Sequence, residues 1–66
     1  MKNKVIEKAI DMCGSQKKLA LACGVTQATV SYWLRGMGIS SQYLLKIEKA
    51  TNKAITVEEI IKSLHE

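Results

Sequence analysis

The stretch GVTQATVSYWLRG, residues 24–36, sets two Thr, one Ser and two adjacent aromatics ahead of its first charge, at Arg35. A helix that only faced solvent would carry Glu and Lys on its outer side. This one keeps neutral hydrogen-bonding groups there. On a wheel of about 100° per residue, Gln27, Ser31, Arg35, Ala28 and Tyr32 share an arc of about 140°. Thr29, Val30 and Trp33 form the opposite, packing face, and Leu34 borders both. The outer set suits the edges of base pairs. Gln bonds adenine at N6 and N7, Ser donates or accepts, and the Ala methyl touches a thymine methyl. An acid there would be repelled by phosphates. Thr26 and Gln27 lead, because the N-terminal end of such a helix meets the bases.

The residues just upstream supply a partner helix. Ser15 caps a helix at about 16–23, with Leu19, Ala20 and Cys23 inward, and Gly24 ends it. Thr26 then caps a helix at about 27–35. Two helices joined by a three-residue turn make a helix-turn-helix candidate at about 16–35. Small Ala20 permits close crossing, Gly24 permits a left-handed turn, and Leu19, Val25, Val30 and Trp33 lock the pair. Trp33 is read as core, not as a stacking platform. Gln16, Lys17 and Lys18 open the first helix, where free N–H groups and the dipole suit a phosphate. Arg35 closes the second, and Ser40 and Ser41, with Gln42, open the next. These six, Gln16, Lys17, Lys18, Arg35, Ser40 and Ser41, are the expected phosphate-binding set. Thr26, Gln27, Ala28, Ser31 and Tyr32 are the expected base-reading set. Lys46, Lys49 and Lys53 read as a solvated face.

Outward from this unit, helical spacing continues and alternating runs are missing. Val5, Ile6, Ala9, Ile10 and Cys13 give a stripe for a first helix at about Lys4–Met12, stopped by Gly14. A hydrophobic staple recurs at three helix starts: Val25 with Val30, Ile39 with Leu44, and Ile55 with Ile60. The last two open helices at about 41–51 and 57–64. Thr56 and Glu59 add a capping box, and Asn52 and Lys53 form the final connection. The expected fold is all-α: a bundle of five short helices in one domain, residues 1–66.

A chain of 66 residues buries only about 60% of its unfolded surface, so the core is small. Its net charge is +4. Nine Lys and Arg against three acids fill residues 1–53, while Lys62 faces Glu58, Glu59 and Glu66 beyond them. A basic body with an acidic tail fits a polyanion partner for the body. Cys13 and Cys23 stand far from the lone His65 and form no CxxC pair, so no metal or other cofactor is expected. They read as small buried thiols in a reducing compartment. The longest apolar run, LALAC at 19–23, is too short for a membrane span or signal-peptide core. A cytoplasmic protein is expected. No Cys–His or Ser–His–Asp set, paired acids or phosphate loop supports an enzyme, and His65 is expected to fray.

The blocks GSQKKLALACGVTQATVSYWLRG and IEKATNKAITVEEI resemble the lambdoid phage Cro group, especially its YdaS-like Cro and antitoxin branch. The resemblance spans about residues 5–60. It implies a five-helix, lambda-repressor-like, operator-binding repressor that acts as a dimer, near the nucleoid of a bacterium or phage-infected host. It also implies that Gln16 and Lys17 hold backbone phosphate, while Thr26, Gln27, Ala28, Ser31 and Tyr32 face the groove. The sequence departs from the family at Ser40, where Pro is common, and in the ending EEIIKSLHE, which lacks the usual Pro-containing tail. Some Cro proteins end in a β-hairpin. Here Val57, Ile60, Ile61 and Leu64 keep helical spacing. The expected partners are double-stranded DNA with a near-palindromic operator and a second copy, weakly held off DNA. The alternative is an antitoxin or interaction module whose C-terminal helices bind a protein, such as a toxin. The apolar stripe there either completes the monomer core or forms the dimer contact.

Overall fold

The computed structural model describes residues 2–64, so His65 lies outside the described residues. Five helices follow in order: α1 Lys4–Cys13, α2 Gln16–Cys23, α3 Gln27–Leu34, α4 Ser41–Ala50 and α5 Val57–Leu64. No strand occurs among the described residues. The all-α expectation and the persistence of helix in the tail are therefore met. The bounds move by one residue at three ends. α1 runs on through Cys13, α3 stops at Leu34 with Arg35 as its cap, and α4 stops at Ala50 with Thr51 as its cap.

Local chemistry explains the starts. Asn3 Oδ1 accepts from the N–H groups of Val5 and Ile6, at 3.0 and 3.1 Å. Ser15 Oγ accepts from Lys18 at 3.1 Å, and Thr26 Oγ1 accepts from Thr29 at 3.3 Å. Each satisfies a donor that the helix cannot. α5 is capped from two sides. Thr56 Oγ1 takes the Glu59 N–H at 3.2 Å. The Val57 N–H goes to Glu48 Oε2 of α4, at 2.9 Å, so α4 supplies part of the α5 cap.

The ends of α2, α3 and α4 share one device. A residue at positive φ lets the next N–H reach back five positions. Gly24 (φ 71°) sends the Val25 N–H to the Ala20 carbonyl at 3.0 Å. Gly36 (φ 92°) does this for Met37 and Tyr32 at 3.3 Å. Asn52 (φ 57°) does it for Lys53 and Glu48 at 2.8 Å. Lys53 itself is held at φ 66°, a conformation that costs a side-chain-bearing residue roughly 1–2 kcal/mol.

One core joins all five helices: Ile6 and Ala9 of α1, Leu19, Ala20 and Cys23 of α2, Val30 and Trp33 of α3, Leu44 and Ile47 of α4, and Ile60 of α5, with Ile55 just ahead of it. All three staple pairs are buried or packed against this core. α2 lies against α1, α3 and α4, while α5 closes the bundle over α1 and α4. Trp33 is buried and meets Tyr43 with ring centroids 5.7 Å apart. Two buried polar side chains knit the ends together. Asn3 Nδ2 donates to Ser63 Oγ at 3.2 Å, and the Asn3 N–H donates to the Leu34 carbonyl at 2.7 Å. Thr51 Oγ1 donates to the Ile47 carbonyl at 3.0 Å and accepts from the Ile55 N–H at 3.2 Å. Both cysteines are free thiols, Cys23 buried and Cys13 half-buried. Burial raises the pKa of each. For Cys23 the nearby Cys13 adds to the rise and Lys46 opposes it.

Candidate nucleic-acid interface

Gln27 and Ala28 are exposed in the first turn of α3, directly after the exposed cap residue Thr26. Burial of Val30 and Trp33 turns the other side of the helix inward and leaves this side outward. Thr26 Oγ1 is engaged twice, by the Thr29 N–H and by Thr29 Oγ1 at 3.0 Å. Its hydroxyl therefore fixes the start of α3 at the same time as it lies on the outer surface. Tyr32 is half-exposed, and Arg35 stacks over its ring, Cζ lying 5.9 Å from the centroid. That contact holds the guanidinium along the outer side of α3.

Ser31 is half-buried because it meets α2. Its Oγ donates to Gln16 Oε1 at 2.6 Å, across fifteen residues of chain. The structure thus joins one residue of the expected base-reading set to one of the expected phosphate-binding set. The sequence reading placed both on the outer surface but did not foresee the bond. Its only signal is that the first residue of α2 and the fifth of α3 are both short-range polar side chains, which is too common to single out.

Lys17 and Lys18 are exposed in the first turn of α2, and Ser40 and Ser41 are exposed at the start of α4. Ser40 has N-cap geometry yet makes no side-chain cap bond. The Tyr43 N–H goes to the Ser40 carbonyl at 2.9 Å, and no side chain caps this helix start. Lys46 leans over Tyr43, 5.7 Å from its ring centroid, on the outer side of α4. Between Asp11 and Glu48 the chain has no acidic residue at all. α2 and α3 fall wholly within that span, so neither helix carries a charge that repels phosphate.

Several large apolar side chains are exposed: Leu21 at 73%, Leu45 at 57% and Ile61 at 42% are the ones on α2, α4 and α5. The sequence leaves the apolar stripe of the last two helices open between core and contact, and it does not single out Leu21. Among the described residues no cluster of His, Cys, Asp and Glu could hold a metal ion, and no helix is long and apolar enough to cross a membrane.

No curated protein and no solved structure gives a significant match to the chain. A family model does, over residues 6–62, which takes in every helix but the two ends of the bundle. By that match the chain belongs to the YdaS family, described as bacterial toxin YdaS.

Proposed function

We propose that the protein is a sequence-specific, double-stranded-DNA-binding repressor with no catalytic activity. On this reading α2, the turn at 24–26 and α3 form a helix-turn-helix whose second helix enters the major groove. The single observation behind it is the outer side of α3, where Gln27, Ala28 and Tyr32 are exposed and neutral on a helix that carries no acid. Thr26, Gln27, Ala28, Ser31 and Tyr32 read base edges. Gln16, Lys17, Lys18, Arg35, Ser40 and Ser41 hold phosphates and set the docking register. One copy reads too few base pairs for selective binding. Two copies place their α3 helices about 34 Å apart, in successive major grooves of a near-palindromic operator. Bound there, the dimer blocks polymerase sterically. The setting is the cytoplasm of a bacterium or phage-infected host, and the regulator is Cro-like.

A second reading draws on the family's description as a toxin and on the exposed Leu45 and Ile61. In it, α4 and α5 bind a protein partner within a toxin–antitoxin pair. A salt titration separates the two. Affinity for labelled random duplex is expected to fall about forty-fold per bound copy between roughly 50 and 200 mM salt, given three cationic phosphate contacts at Lys17, Lys18 and Arg35. Absence of binding at low salt, or binding indifferent to salt, would overturn the DNA proposal and favour the protein-binding module.

A further inference from the structure

We infer that Ser31 acts at its base pair only as a hydrogen-bond acceptor, and that Gln16 imposes this. The inference rests on the DNA-binding proposal above and adds a rule for which bases are selected. A serine hydroxyl has one proton and two lone pairs. Ser31 commits its proton to Gln16 Oε1 at 2.6 Å, inside the α2–α3 pair. Only lone pairs remain to face a base. The same bond orients the glutamine. With Oε1 turned to Ser31, Gln16 presents its NH2 group, two donors, to the acceptor oxygens of a phosphate. The reversed amide would set its oxygen against that phosphate, so phosphate binding and the Ser31 bond favour one orientation together.

In the major groove every base pair offers one amino group, on adenine N6 or cytosine N4, and one keto oxygen, on thymine O4 or guanine O6. An unconstrained serine accepts either kind. An acceptor-only serine selects the amino base, A or C, on the strand it faces. It rejects G and T, whose oxygens would meet its lone pairs.

The test is selection of bound duplexes from a random pool at low salt, with the intact chain, Ser31→Ala, Gln16→Ala and Gln16→Glu, each checked for an unchanged melting profile. The position at which Ser31→Ala loses its preference marks the base pair concerned. There the intact chain is expected to enrich A or C over G and T by about two- to ten-fold, the range of a single hydrogen bond. Gln16→Ala releases the proton, and the preference should spread to all four bases. Gln16→Glu still accepts the proton. It should keep the A or C preference while weakening binding to every sequence, since a carboxylate then faces phosphate. The inference alone is overturned by a G or T preference, by a Gln16→Ala variant that keeps the A or C preference, by a Gln16→Glu variant that loses it, or by a Ser31→Ala variant that changes no position. A pool from which the intact chain enriches nothing overturns the DNA-binding proposal with it.

Discussion

Gln27 is exposed at the start of α3, a helix that carries no acid. Lys17 is exposed too, but its ammonium is a point charge with no directional code. The two should fail differently. On a selected operator, Gln27→Ala should cost about 1–3 kcal/mol and relax the preference at one base pair. Lys17→Ala should weaken cognate and scrambled duplexes by the same factor and lower the salt slope by about one. Anisotropy titrations of both variants on both duplexes measure this. Equal losses for Gln27→Ala on the two duplexes would remove its reading role.

At the scale of elements, the segment from α4 to α5 is tied down by side-chain hydrogen bonds. Thr51 Oγ1 receives the buried Ile55 N–H, and Glu48 receives the Val57 N–H. Thr51→Val keeps the shape and removes the acceptor, leaving the Ile55 N–H unsatisfied. A loss of about 1–3 kcal/mol in a urea melt is expected; an unchanged midpoint would show that the N–H finds another partner. Lys53→Gly should act in the opposite direction. Relief of the positive φ should stabilise by up to about 1 kcal/mol, less than the full strain because glycine also loses more backbone entropy on folding. A destabilised Lys53→Gly variant would mean that the side chain itself contributes more than the backbone costs.

Across the whole molecule, the five helices were legible because their signals are local. Ser15, Thr26 and Gly24 act within four residues, and three staples mark where helices begin. The core followed from the same spacing. Features made by residues distant in sequence were not legible. Asn3 is buried between the α1 start, the Leu34 carbonyl and Ser63 of α5, although a lone Asn near a terminus reads as surface. Glu48 reads as a solvated acid on α4 until α5 folds back to bring Val57 to it. The Gln16–Ser31 bond exists only once α2 and α3 cross. The outer side of α3 was legible in composition, whereas the way one of its residues is preset by α2 was not.

The central claim is that this outer side of α3 is what meets DNA. The most direct check is an amide chemical-shift titration of the isotope-labelled protein with a selected duplex. The largest changes are expected at Gln27, Ala28, Ser31 and Tyr32, with a second group at Gln16, Lys17 and Lys18 in the first turn of α2. Changes centred on Leu45 and Ile61, with the α3 signals unmoved, would contradict the account.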